Sequence, residues 1–384
     1  MRTLVTAARL WSANGPIENP VLEIEDGRIV EIATTKEAWA TPAHNFPGAT
    51  IAPAFFDVHL HGAAGHDVME ATPEALSAIG TLLARYGTAT YLATTVTAPL
   101  DETLRAVSGL AKLMNKPEHL PHTAARPIGI HLEGPFLSHF KRGVQPAEHL
   151  LAPDIAIFNR LDEAAEGHIR MMTIAPELPG ALDLITHAVR RGVRVSLGHS
   201  DATAAQTRAA IAAGAVSATH TFNAMRTLDH REPGILGTVL TDDQMYAELI
   251  CDGVHVSPEM VKLWWRAKGE GRGILVTDAI SATGMPDGEY QLGGFPVQVA
   301  NGRAMARGVL AGSVLTQDRA LSNFVEFTGT SVDDAVRLLT HNPAEMTGLE
   351  TAALAEGDPA NFVVLGATGK LQATFLEGQM AAQA

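Results

Sequence analysis

The chain is poor in cysteine, in cationic side chains and in long apolar runs, and each shortage removes a class of protein. One cysteine in 384 residues leaves no internal disulfide framework and suits a reducing cytoplasm. That residue, Cys251, closes the run Tyr246-Ala-Glu-Leu-Ile-Cys and reads as a small buried side chain. Lys and Arg total 28 against 42 Asp and Glu, a formal charge of −14. Nucleic acid is therefore not expected as the main partner, because phosphate backbones require clustered Lys and Arg. An acidic small substrate would need a local cationic pocket. There is no stretch of about 18 consecutive apolar residues, so no transmembrane helix and no membrane partner are expected. The first ten residues carry no apolar segment with a cleavage site, so no secretory signal is expected either.

What the chain does have is a change of pattern near residue 50. Up to residue 53 the segments read as short strands. Val21–Glu25 alternates apolar and polar residues, Asp26-Gly27 follows, and Arg28–Ile32 alternates again. An Asp-Gly pair between two alternating runs predicts a hairpin, because that turn needs positive φ at its centre. Beyond residue 50, eight strand candidates occur at 50–60, 88–96, 128–132, 168–174, 193–197, 216–220, 246–251 and 273–277. Most are short apolar runs, as expected of strands covered on both faces. Amphipathic stretches separate them. Thr72 before Pro73 caps one helix, with Leu76, Ile79, Leu83 and Tyr86 on one face and Gly87 as its stop. Asp201 precedes another at 202–213, stopped by Gly214. Eight β-α units in about 230 residues fit an α/β (β/α)8 TIM-like barrel better than an open doubly wound sheet. Residues 281–313, with Asn301-Gly302, read as a hairpin insertion beside the barrel mouth, and Ser331 with Asp334 caps a further helix. Phe362–Leu365 reads as a strand. A β-rich start and a β-rich end predict one small domain from residues 1–53 and 355–384 around a barrel over 54–354.

The polar residues fall at the carboxyl ends of the predicted strands, where barrel enzymes place their sites. Strand one ends in Asp57-Val-His59-Leu-His61-Gly62; residues two apart share a strand face, so both imidazoles can enter the same space. Neutral imidazoles suit a borderline divalent ion such as zinc. Strand three ends in His131-Leu-Glu133-Gly-Pro-Phe136. There Glu133 either binds or bridges metal ions or is a solvated strand-end carboxylate, and His131 fits a packing or supporting role. Strands five and six each end in one histidine, His199 and His220. Any one of these alone reads as a core residue; four strand-tip histidines with Glu133 converge only at the barrel mouth. Strand eight ends in Asp278, placed to take a proton from a metal-activated water and pass it on, the alternative being a helix cap. His255 after strand seven stays open as ligand, substrate donor or structural residue. Arg231 is either a surface residue or an anion clamp.

Together these segments resemble the amidohydrolase superfamily, and within it the N-acetylglucosamine-6-phosphate deacetylase family. The likeness is carried by Asp57–Gly62, HLEGPF at 131–136, GHS at 198–200, HTFNAM at 220–225, REPG at 231–234, DGVH at 252–255, VTDA at 276–279 and LAGS at 310–313. It implies a barrel with a small β-sandwich from both termini, usually assembled as a homodimer. It implies hydrolysis of the N-acetyl group of a phosphorylated amino sugar. The implied principal metal ligands are Glu133, His199 and His220, with His59 and His61 holding a second ion and Glu133 bridging. One or two divalent ions per subunit are implied, zinc foremost, with iron, manganese or cobalt accepted by the same donors. Asp278 is implied as proton shuttle. Val144, Asn223, Ala224 and the backbone of Leu310, Ala311 and Gly312 are implied to meet substrate. Arg231 and His255 are implied to bind phosphate, in this family across the subunit interface. The chain departs from the family at Gly143-Val144-Gln145-Pro146, where a histidine usually contacts substrate. Gln145 can donate a hydrogen bond there but carries no charge. Many other members of the superfamily bridge two metals with a carboxylated lysine; no lysine ends a predicted strand here, Lys141 lying in a loop.

Overall fold

A computed structural model describes residues 2–12, 15–34, 42–349 and 354–383. Parts of the expected terminal domain, at 1, 13–14, 35–41 and 384, lie outside the described residues. Eight parallel strands form the central sheet: β1 (Phe55–Leu60), β2 (Thr88–Thr95), β3 (Arg126–Glu133), β4 (Ile169–Ile174), β5 (Arg194–Leu197), β6 (Ser217–Ala218), β7 (Tyr246–Ile250) and β8 (Gly273–Val276). They pair in strict sequence order. The ends meet just beyond β8, where Leu60 bridges Ala279 in parallel and the Asp278 N–H donates to the His59 carbonyl at 2.9 Å. The result is a closed (β/α)8 barrel.

Two details of the strand reading are corrected. The segment 50–60 is two strands, one ending at Pro53 in the terminal sheet and β1 starting at Phe55. The break comes at Ala54, whose N–H donates to Asn361. The sixth strand pairs only over Ser217–Ala218, and His220 already lies in a turn at φ 29°.

The helices follow their caps. Pro73–Arg85 starts at Thr72, whose hydroxyl accepts from the Ala75 N–H, and buries Leu76, Ile79 and Leu83 against the barrel. The helix expected after Asp201 runs over Ala204–Ala212 instead. Thr203 with Gln206 forms the capping box, and Asp201 is free to pair with Arg226 at 3.0 Å. Ser331 caps Val332–Leu339 through the Asp334 N–H as expected.

Strands from both termini join in one eight-stranded sheet. Phe362–Leu365 lies beside His44–Pro53, which pairs in turn with Thr3–Leu10. The predicted hairpin is present, with Asp26 and Gly27 at φ 49° and 78° between Pro20–Glu25 and Arg28–Thr34. This sheet has an apolar core of its own, in which Phe362 and Phe375 stack at 4.5 Å beside Leu22, Ile24 and Ile51. The insertion near the barrel mouth is more than a hairpin. It is a four-stranded antiparallel sheet over Gly288–Leu292, Phe295–Ala300, Arg303–Ala306 and Val309–Leu310.

Candidate functional site

The carboxyl ends of the barrel strands converge on one pocket of about 270 Å³. Its floor is built of histidines and carboxylates that are nearly all out of solvent. From β1, His59 and His61 share a face and are 0% and 3% exposed. Glu133 ends β3. His199 and His220 follow β5 and β6, and Asp278 follows β8; these three residues adopt positive φ, at 47°, 29° and 51°.

Glu133 is the hub. Its Oε1 lies 3.1 Å from His199 Nε2 and 3.0 Å from His220 Nε2, and 3.5 Å from His59 Nε2. Its Oε2 lies 3.4 Å from His61 Nε2. Asp278 Oδ1 lies 3.1 Å from His61 Nε2 and 3.6 Å from His59 Nε2. Most of the imidazoles are held from behind. His61 Nδ1 faces the Thr94 carbonyl at 3.0 Å, His199 Nδ1 the Lys141 carbonyl at 2.9 Å, and His59 Nδ1 the Glu248 carboxylate at 3.1 Å. With Nδ1–H donated outward, each Nε2 presents a lone pair to the pocket, the arrangement metal-binding histidines use.

Two donor triads result, His59–His61–Glu133 and Glu133–His199–His220, with the ligand atoms of each within 4.8 Å of one another. His59 Nε2 is buried and makes no hydrogen bond, a loss that coordination would repair. Nitrogen and carboxylate donors of this kind fit a zinc-like divalent ion.

The electrostatics point the same way. Burial alone would push His59 down, but the charges of Glu133 and Asp278 and the hydrogen bond to Glu248 raise it to about 9. Burial likewise opposes the ionised form of Glu133, yet the surrounding imidazoles hold its carboxyl well below the usual range. Asp278 is also lowered: the His61 hydrogen bond and the two imidazole charges outweigh its burial. The pocket is thus a negative cage that draws in positive charge. His131 belongs to its supports, as expected. Buried, with Nε2 on Thr173 Oγ1 at 2.8 Å and Nδ1 on the Val58 carbonyl, it is held well below its ordinary value by burial and by neighbouring His59.

Above this floor the pocket is lined by Val144, Gln145, Asn223, Ala224, His255, Leu310 and Gly312. Ala311 is buried behind the wall, its N–H on the Ala304 carbonyl. His255 is oriented by Asp252 at 2.7 Å. Arg231 is exposed on its loop and does not line this pocket. Gln145 is fixed at both ends: the Thr97 N–H donates to its Oε1 at 2.9 Å, and its Nε2 donates to Glu133 Oε2 at 2.8 Å. Three neighbours were not singled out from sequence. Leu292 and Val309 reach the rim from the inserted sheet. Glu248 lies under His59, and its only signal was a charge inside the apolar run of strand seven.

A parallel barrel with imidazoles and carboxylates at its carboxyl mouth defines a metal-dependent hydrolase of the amidohydrolase kind. The amidohydrolase family model matches residues 50–381, and the chain belongs to that family. Within it, the chain is 38% identical to an N-acetylgalactosamine-6-phosphate deacetylase of Escherichia coli O157:H7, over 99% of this chain and 100% of that one. It is 35% identical to an N-acetylglucosamine-6-phosphate deacetylase of Lysinibacillus sphaericus over 97% and 96%. Among solved structures, a mutant N-acetyl-D-glucosamine-6-phosphate deacetylase of Mycobacterium smegmatis, in complex with N-acetyl-D-glucosamine-6-phosphate, superposes with a TM-score of 0.93. Sequence identity there is 36% and coverage 100% of both chains.

Proposed function

We propose that this protein hydrolyses the N-acetyl group of N-acetyl-D-glucosamine 6-phosphate, giving D-glucosamine 6-phosphate and acetate in amino-sugar catabolism and recycling. The observation that carries the reading is the meeting of Glu133, His199, His220, His61 and Asp278 in one pocket, with His59 buried against them, in a chain whose full-length relatives are deacetylases of amino-sugar phosphates.

Glu133, His199 and His220 would hold one divalent ion, and His59 and His61, with Glu133, would hold a second. Zinc is the ion we assign, on the donor set. When bound, such an ion supplies Lewis acidity that lowers the pKa of water and polarises an amide carbonyl. Asp278, kept ionised by its cationic neighbours, takes the proton of the attacking water. It then delivers that proton to the sugar nitrogen as the C–N bond breaks. Asn223 and Ala224 and the Leu310–Gly312 backbone orient the sugar. Gln145 keeps Glu133 aimed at the histidines and retains one N–H for substrate, which assigns it a positioning task where the family's usual histidine touches substrate directly. His255 anchors the phosphate from within its own pocket. Arg231, exposed and outside that pocket, reaches the phosphate of the partner subunit in a homodimer. A free, buried Cys251 suits a cytoplasmic protein; among the described residues no helix is long and apolar enough to cross a membrane.

The 38% identical relative supports a second reading, the galacto epimer of the same substrate. An acetate-release assay on N-acetylglucosamine 6-phosphate, N-acetylgalactosamine 6-phosphate and unphosphorylated N-acetylglucosamine separates them. We expect the highest kcat/KM on the first. A higher value on the second transfers the assignment to the epimer, and no acetate from any of the three refutes the deacetylase reading.

A further inference from the structure

Glu248 is a charged residue in the middle of β7, where every residue is buried, and it is itself 0% exposed. A carboxylate in such a place costs several kcal/mol unless something holds it charged. What holds it is uneven. Both polar contacts fall on Oε2: His59 Nδ1 at 3.1 Å and the His220 backbone N–H at 3.3 Å. Oε1 has no hydrogen-bond partner. The backbone carbonyl of the same residue accepts from the Thr221 N–H at 2.8 Å. Glu248 therefore ties a ligand of one donor triad to the main chain that carries a ligand of the other.

Its position rules out direct ligation beside His59. It lies on the Nδ1 edge of that ring, while Nε2 on the opposite edge faces Glu133 and Asp278. A carboxylate that accepts from Nδ1–H fixes the tautomer and the ring plane, and it makes Nε2 a stronger donor. In the triad Glu133–His199–His220 the supports come from elsewhere for two members, His199 from the Lys141 carbonyl and Glu133 from Gln145, and Glu248 touches only the His220 backbone N–H, with no contact to that imidazole.

We propose that Glu248 is the positioning residue for the second cation, the group that makes His59–His61–Glu133 an occupied site in this chain. The inference rests on the two-ion reading given under Proposed function, but its test reads metal content and leaves turnover aside.

The full-length protein, stripped and then dialysed against a series of buffered zinc concentrations, is analysed for bound zinc by mass spectrometry. Wild type fills in two steps. Glu248→Leu keeps the first step, while the second weakens ten- to a hundredfold, the usual cost of losing such a partner. Glu248→Gln falls between them, because its carbonyl still accepts from His59 while the charge is gone. With cobalt(II) in place of zinc, the visible bands added by the second equivalent are lost or shifted in E248L and those of the first are kept. A merely structural role would lower the melting temperature and weaken both steps together, and that result overturns the proposal. So does an E248L protein that binds both ions as wild type does, or a wild type that fills only one site. Should E248L fail to fold, E248Q decides alone: a second step at least threefold weaker supports the assignment and an unchanged one refutes it. Failure of the deacetylase reading would show separately, as no acetate from wild type.

Discussion

Asp278→Asn removes the proposed proton carrier with almost no change of shape. The side chain keeps its volume, and the backbone bonds that hold this turn, from the Asp278 N–H to His59 and from the Ser313 N–H to the Asp278 carbonyl, do not involve it. His61 Nε2 remains 3.1 Å from a side-chain oxygen position. What is lost is the negative charge and, with it, the capacity to take and return a proton. A positioned general base and acid contributes about 10²–10⁴ in rate, equivalent to about 3–5 kcal/mol of barrier at 1.36 kcal/mol per tenfold. We therefore expect kcat for acetate release to drop at least a hundredfold, with KM within a few-fold of wild type and zinc content unchanged. The pH profile carries a second signature. Cationic neighbours hold the Asp278 carboxyl below its ordinary value, and a bound dication acts in the same direction. The base is then ionised throughout the neutral range, and the acid limb of kcat that it sets lies below the usual carboxylate range. The mutant lacks that limb. A mutant with full metal content and kcat within threefold of wild type would falsify the assignment.

Four further outcomes are expected. Glu133→Ala removes the residue shared by both triads, so bound zinc by mass spectrometry should fall below one equivalent and activity should vanish; two retained equivalents would contradict the shared-ligand geometry. Arg231→Ala should raise KM at least tenfold for the 6-phosphate sugar and leave the unphosphorylated sugar unchanged, and an equal effect on both would remove Arg231 from phosphate recognition. Chelation should abolish acetate release and lower the melting temperature by several degrees, because an ion present at a hundred times its Kd stabilises the fold by about 2.7 kcal/mol; activity that survives exhaustive chelation would refute metal dependence. Asp57 concerns stability alone. Burial, only partly opposed by the Thr277 hydroxyl and the His59 and Thr277 N–H groups, raises it to about 7. The metal-free folded state then holds more protons than the unfolded chain between about pH 4 and 7, so stability falls as pH rises through that window. Metal-free Asp57→Asn should flatten that fall, by at most about 4 kcal/mol, and denaturation curves as steep in pH as those of wild type would disprove it.

The barrel was legible because its strands are covered on both faces. The run 273–276, Gly-Ile-Leu-Val, is apolar throughout and buried, as expected of parallel strands under helices. Cap and turn residues then set the borders, as Thr72, Ser331 and Asp26-Gly27 do. Where the reading slipped, two local signals competed. At Ala54 the one local mark of a break is Pro53, and it is masked because the strand of the terminal sheet hands over directly to β1 and both sides are apolar. At the 204–212 helix, Asp201 and Thr203 are both good caps; Arg226, distant in sequence, claims Asp201. The residues we propose as metal donors stood out by their position at strand ends. Glu248 was not, since it sits inside a strand and its partner His59 is 189 residues away. Gln145 was found as a departure from family pattern, but its task was not, because the Thr97 N–H that fixes the amide comes from another strand's end. Side chains that act through others are visible only once the chain is closed.

The strand tips show how the scaffold aims the site. His199, His220 and Asp278, with Phe222 and Ala224 beside them, all adopt positive φ. A left-handed residue with a side chain costs about 1–2 kcal/mol; His and Asp tolerate it better than most, but Phe222 and Ala224 have no such preference. Each of the first three makes a long-range hydrogen bond through its backbone, two to main-chain groups and one to a side chain. The Ser138 N–H donates to the His199 carbonyl, the Asp278 N–H to the His59 carbonyl, and the His220 N–H to Glu248. The reversal of φ turns the chain away from the strand direction while the side chain stays over the barrel axis. A relaxed continuation of β5, β6 or β8 would alternate the side chains between axis and helix layer and could not bring three of them to Glu133 and His61 at the same height. The cooperative closure of the barrel supplies the free energy that keeps these turns strained, and the strain is the form in which stability of the fold becomes geometry of the site.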